Sequence, residues 1–160
     1  MKTLLQTLLG GVVLVIAAGA ALAAPPATDP VIGTWKLDLA RSTFSPGPAP
    51  RSQTLTYVKT AQGLALTLKT MAASGKETTA TVTYTTDGRP YAVSGDPDYD
   101  IVSAKQVDPL TMQILFMTAA KTVGTALRTV SKDGKTLTYT QKGTHTSGVA
   151  YDYHMIFDRQ

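Results

Sequence analysis

From Val31 onward, apolar side chains recur at every second position, in runs cut off by turn residues roughly every 8–12 positions. Period two places successive side chains on opposite faces of an extended strand, so this pattern admits strands and no helix. In Gly33–Leu39, the residues Trp35, Leu37 and Leu39 share one face and Thr34, Lys36 and Asp38 the other. Gln53–Lys59 places Leu55 with Tyr57. Leu64–Lys69 alternates Leu64, Leu66 and Leu68 with Ala65, Thr67 and Lys69, and Thr78–Thr85 sets Ala80, Val82 and Tyr84 against a ladder of threonines.

Further strands are expected at 101–107, 112–118, 122–131, 136–142 and 149–159. Tyr91 and Val93 lie in an irregular stretch between Asp87-Gly88 and Gly95-Asp96-Pro97. The last strand carries Val149, Tyr151, Tyr153, Met155 and Phe157 on one side, with Asp152, His154 and Asp158 opposite. The connections hold Gln62-Gly63, Ser74-Gly75, Asp108-Pro109, Asp133-Gly134 and Ser147-Gly148, all turn formers. Ser45–Pro50, with three prolines, can be neither helix nor central strand.

Eight to nine consecutive strands with hairpin-length links predict an all-β, antiparallel up-and-down barrel, which leaves no exposed edge. A two-sheet sandwich is the competing arrangement, although its Greek-key form needs a long crossing connection.

The first 23 residues differ in kind. Lys2 is their only charge, Leu4–Leu22 is almost wholly apolar, and Ala21-Leu22-Ala23 offers the small-x-small pattern of signal cleavage. The expected organisation is a Sec-type signal peptide over 1–23, a flexible Pro-rich leader over 24–30, and one domain over 31–160. That organisation implies a periplasmic or secreted protein with no membrane insertion after cleavage. An uncleaved anchor is the rival, because the apolar run also suffices to span a bilayer. The chain has no cysteine, so neither a disulfide nor a lipid-bearing N-terminal cysteine is available.

Net charge is +4, with the basic residues scattered singly, so nothing predicts a nucleic-acid partner. His145 and His154 lack partners at metal-ligand spacing and read as surface histidines. Asp96-Pro97-Asp98-Tyr99-Asp100 superficially suggests a calcium loop. It has Ile101 where a glycine is needed and no glutamate after it, and it reads as a turn. With no cysteine and no G-x-S-x-G serine, no catalytic residue is nominated. The expectation is a non-enzymatic monomer with no cofactor and no metal.

Gly33-Thr34-Trp35-Lys36-Leu37 resembles the G-x-W signature opening the first strand of lipocalins and fatty-acid-binding proteins, together the calycins. Ala40–Pro50, Val130–Lys135 and Phe157-Asp158-Arg159 are similar to a family of small exported bacterial proteins described as lipocalin-like, of uncharacterised function. The resemblance implies that Gly33, Trp35 and Arg159 plug one end of the barrel, with the basic side chain over the indole. The chain lacks the helical lid of fatty-acid-binding proteins, for which only the Pro-rich loop stands in.

Strand alternation assigns the interior to Tyr57, Leu66, Tyr84, Ile114, Phe116, Leu127, Tyr139, Tyr151, Tyr153, Met155 and Phe157, with Thr125 and Thr129 also inward. Of these, Tyr57, Tyr84, Phe116, Tyr139, Tyr151, Tyr153 and Met155 are candidates to line a cavity for a small apolar or amphipathic ligand. A filled core, with interactions made through the threonine-rich outside or the Pro46–Pro50 loop, is the alternative.

Overall fold

The computed structural model describes residues 29–160, so the expected signal peptide over 1–23 and most of the expected leader over 24–30 lie outside the described residues. Ten strands follow one another: β1 (Gly33–Ser45), β2 (Ser52–Thr60), β3 (Gly63–Met71), β4 (Glu77–Tyr84), β5 (Asp87–Ala92), β6 (Ile101–Asp108), β7 (Thr111–Thr118), β8 (Lys121–Val130), β9 (Thr136–Thr144) and β10 (Ala150–Arg159). Consecutive strands pair antiparallel except β4 and β5, and β1 also pairs with β10. The sheet order β4-β3-β2-β1-β10-β9-β8-β7-β6-β5 is therefore an up-and-down meander bent into a ring. At the ends of the order, β4 is joined to the segment just after β5 by one bridge, in which Thr81 N and Ser94 O, and Ser94 N and Thr81 O, lie 2.8 and 2.9 Å apart. The fold is an all-β, antiparallel, nearly closed ten-strand barrel.

Ten strands are present rather than eight or nine. The additional one is β5, which forms from the stretch read as irregular. Gly88 and Pro90 interrupt its pattern, and a strand containing proline is confined to a sheet edge, which is where β5 lies. β1 is also longer than its alternating run. Four residues, Leu39–Ser42, stand opposite Met155 alone. Asp38 holds this bulge by accepting the backbone N–H of Ala40 and Arg41 at 2.9 and 3.1 Å, and Ser42 Oγ accepts Ile156 N–H at 2.9 Å. The bulge turns Leu39 out to solvent, away from the face of Trp35 and Leu37. Val149 is likewise exposed, because it precedes β10 rather than belonging to it.

The largest correction concerns β8. Gly124, Ala126, Arg128 and Val130 face inward, while Leu127 is 48% exposed and Thr125 is also outside. Taken alone, β8 gives a near tie, with Val123 and Leu127 on one face and Ala126 and Val130 on the other. Its neighbours decide. Met112 and Ile114 of β7 lie opposite Arg128 and Ala126, while Tyr139 and Leu137 of β9 lie opposite Arg128 and Val130. Cross-strand partners share a face, so four large buried side chains on β7 and β9 fix the parity of β8 and carry Arg128 inside.

One end of the barrel is shut by Trp35, which is wholly buried and donates its indole N–H to Val31 O at 2.8 Å. The guanidinium of Arg159 lies 4.1 Å over the indole. It donates to the carbonyls of Gly134, Ile32 and Pro30 at 2.5, 2.7 and 2.5 Å, so stacking and hydrogen bonds act together. Gly33 is needed here: its φ is +135°, and a Cβ would come within 2.6 Å of Arg159 Nη1. The connections β1–β2, β3–β4, β5–β6, β7–β8 and β9–β10 lie at the opposite, open end.

Candidate ligand-binding site

The interior divides into a sealed lower part, a small apolar chamber and a wide mouth. The lower part holds Tyr57, Tyr84, Arg128 and Tyr139, all buried. The hydroxyls of Tyr57 and Tyr139 share a hydrogen bond of 2.5 Å, and Arg128 Nη1 donates to the Tyr84 hydroxyl at 3.0 Å. The Arg128 guanidinium also lies 5.2 Å from the centre of the Tyr57 ring. Burial pushes all three phenols up from their ordinary range, so they remain neutral donors and acceptors. Burial alone would work against the Arg128 charge, but the surrounding tyrosine oxygens outweigh it and hold the group protonated. Among the described residues, no ion pair is formed by Arg128 and its Nε has no hydrogen-bond partner.

Above this knot lies a chamber of about 70 Å³, walled by Leu55, Leu66, Val82, Val102, Ala104, Ile114 and Phe116, with Tyr84 and Tyr139 among its lining. That is room for a few water-sized groups and no more. The mouth above holds about 520 Å³ and is lined by Phe44, Pro48, Pro50, Thr70, Lys76, Asp96, Asp98, His145, Tyr151 and Tyr153, among others. This volume lies within the range of small-molecule sites. Gln53, Leu68, Tyr99, Gln141 and Met155 line both spaces and form the neck where they meet.

The mouth is built around stacked rings. Tyr151 and Tyr153, two residues apart on β10, lie with centroids at 4.8 Å and planes at 24°. His145 packs at 4.6 Å on Tyr151, Phe44 at 5.2 Å on Tyr153, and Tyr99 at 4.5 Å on Phe116. Tyr151 can lie flat because Gly124 and Gly143 face each other beneath it. A Cβ on either glycine would stand 2.6 or 2.5 Å from the Tyr151 hydroxyl oxygen.

His145 is not the solvated group that its isolation in sequence suggests. Its side chain keeps 29% of its exposure, and its ring nitrogens lie 2.7 Å from Asp98 Oδ2 and 2.9 Å from the Tyr153 hydroxyl. Asp98 also accepts the N–H and the hydroxyl of Thr146. Burial acts to raise the Asp98 carboxyl, but the bonds from Thr146 and His145 prevail and hold it below the usual range. Asp96 moves the other way: burial pushes its carboxyl up against the restraining N–H of Asp98. The Asp96–Asp100 turn thus reaches across the mouth to the β9–β10 connection. His154, by contrast, is exposed.

The seven cavity candidates therefore occupy three levels. Tyr57, Tyr84 and Tyr139 belong to the buried knot, with Tyr84 and Tyr139 forming the chamber floor. Phe116 and Met155 belong to the chamber wall and neck, and Tyr151 and Tyr153 to the mouth. Sequence reasoning missed Arg128, whose parity depends on neighbouring strands, and the convergence of Asp98 with His145 from 47 positions away. The signal in the sequence is the repeated carboxylate of Asp96–Asp100, whose spacing alone reads as a turn. Among the described residues no group of three histidine, cysteine or carboxylate side chains converges as a metal site, and no helix is long and apolar enough to cross a membrane.

No family model and no curated protein matches the chain. Among solved structures, the chain is similar to a crystal structure of zebrafish ileal bile acid-binding protein complexed with cholic acid. The two share 9% sequence identity at a TM-score of 0.47, over 82% of this chain and 99% of that one.

Proposed function

We propose that the protein is an exported, calycin-like carrier of a small amphipathic molecule, released from residues 1–23 into the periplasm or medium and acting without catalysis. The observation that supports this reading is the graded interior: an aromatic, polar-rimmed mouth opens through a shared neck into an apolar chamber. A ligand places its body among Tyr99, Tyr151 and Tyr153 and its apolar end between Leu66, Ile114 and Phe116. Such burial is favourable by about 0.8 kcal/mol per methylene. The Tyr57–Tyr84–Arg128–Tyr139 knot sets the depth limit.

Calorimetric titration with a panel of alkyl amphiphiles tests this. Trp35 lies at the closed end, so the optical readout belongs to near-UV dichroism of Tyr151 and Tyr153 rather than to indole fluorescence. Ala104→Leu, which fills the chamber from a buried wall position, should weaken binding about tenfold by excluding roughly two methylenes. Absence of saturable binding by every member sinks the reading. The filled lower half of the barrel favours one alternative, an envelope interaction module working through its outer face. In that case the panel stays silent and an envelope partner is retained on immobilised protein.

A further inference from the structure

The Asp98–His145–Tyr153 array decides what kind of polar head the mouth can accept. Asp98 offers oxygen only: Oδ1 receives two bonds from Thr146 and Oδ2 faces His145 Nδ1 at 2.7 Å. A carboxylate so placed requires the proton of a neutral imidazole on Nδ1, leaving Nε2 as a bare acceptor. The group facing Nε2, at 2.9 Å, is the Tyr153 hydroxyl. Its proton is therefore committed to His145, and its oxygen keeps lone pairs alone for any further partner in the cavity that Tyr153 lines.

We propose that the mouth selects ligands with a hydrogen-bond-donating head, such as an alcohol, amide or amine, read by the Tyr153 oxygen in a direction fixed by Asp98 and His145. This rests on the carrier reading and specifies its head-group chemistry. Charge around the mouth supports it: two carboxylates, Asp96 and Asp98, line the cavity against one lysine or arginine, Lys76, so the rim disfavours an anionic head. Around His145, the titratable and charged groups are Asp96, Asp98 and Tyr99 from the β5–β6 side, Tyr151 and Tyr153 from β10, and Lys76 across the cavity. Burial raises the phenols of Tyr99, Tyr151 and Tyr153, so they stay neutral hydrogen-bonding groups. When His145 takes up a second proton, Nε2–H donates to Tyr153. The Tyr153 O–H then swings into the cavity, and the preference for donors disappears.

The experiment compares octanol, octylamine, octyl methyl ether and octyl sulfate by calorimetry on the full exported chain, at about pH 8 and about pH 5. At the higher pH octanol and octylamine should bind about fivefold to tenfold more tightly than the ether, the worth of one buried hydrogen bond. The sulfate should bind more weakly still. In Tyr153→Phe, which keeps the ring on Phe44 and Tyr151, octanol should fall to the level of the ether. In wild type the alcohol-to-ether ratio should collapse toward one wherever NMR shows a second ring proton on His145.

A second readout needs no ligand. Ring nitrogen shifts should show a protonated Nδ1 and a bare Nε2 at about pH 8. An Nε2–H tautomer overturns the inference outright. Equal binding of alcohol and ether at both pH values overturns it while the carrier reading stands. Binding by none of the four, with the tautomer as stated, removes the carrier reading and the selection with it.

Discussion

Asp96 and Asp98 sit two residues apart on one turn and are pulled in opposite directions by their surroundings. Asp96 has a folded-state pKa raised by burial, so its contribution to stability is full below the unfolded carboxyl value of about 3.9 and is lost as pH rises through the folded value. Asp98 has a depressed folded-state pKa, because Thr146 and His145 outweigh its burial; its contribution is present above about 3.9 and is lost as pH falls through the folded value. Asp96→Asn should therefore make the protein more stable at neutral pH, since the amide oxygen can still accept the N–H of Asp98 without a half-buried charge. Asp98→Asn should destabilise it by about 1 kcal/mol, the worth of a charge-assisted hydrogen bond discounted for partial exposure. Denaturant unfolding at neutral pH and near pH 3 checks both, and the two differences should shrink together in acid. A loss of stability in Asp96→Asn at neutral pH would show that its charge is supported by a partner at the mouth. At this scale the sequence was legible where one strand's alternation suffices, as for Tyr151, Tyr153, Met155 and Phe157. It was opaque where a side chain's partner comes from a distant connection, as for His145. A lone histidine in a glycine-flanked turn carries no mark of the carboxylate that folding brings to it.

At the scale of elements, turn chemistry located most of the strands, and parity went wrong on β8, where small and polar residues leave each face equally apolar. There Leu127 and Arg128 exchange expected places because the large inward residues of β7 and β9 outweigh them. The β7–β8 connection shows the same dependence on neighbours. Thr118 pairs with Lys121, leaving a two-residue loop of Ala119 and Ala120 with φ of 48° and 63°. Both residues adopt the left-handed conformation of a type I′ turn, which Asn-Gly favours and alanine resists. The strand pairing on either side imposes a conformation that the loop does not itself prefer. Replacing Ala119-Ala120 by Asn-Gly should stabilise the barrel by about 1–2 kcal/mol. Amide exchange at Thr118 and Lys121 should slow, measured alongside thermal unfolding. An unchanged midpoint would mean that the loop adopts another conformation in solution.

At the scale of the molecule, the ring is continuous everywhere except between β4 and β5, and the loop that bridges this seam also carries Asp96 and Asp98 to the mouth. Closure and site are therefore mechanically linked. Gly95 is the point where the linkage is tightest: its φ is +87°, and a Cβ there would stand 2.1 Å from Thr79 O on β4. Gly88, at the start of β5, has φ +77° with nothing within 4 Å of the corresponding position. The two glycines share the conformational requirement and differ in the close approach. Gly88→Ala should lose about 1 kcal/mol, the cost of a left-handed alanine, with the Thr81–Ser94 bridge intact. Gly95→Ala carries the same cost and must also push residues 93–100 off β4. It should release the amides of Thr81 and Ser94 to rapid hydrogen exchange and separate Asp98 from His145, while the β1–β10 ladder stays protected. Exchange mass spectrometry of the two variants under identical conditions makes the comparison. Equal exchange at the seam in both would show that conformation alone governs it. Selective opening in Gly95→Ala would show that one glycine's contact with β4 holds both the ring and the mouth in register.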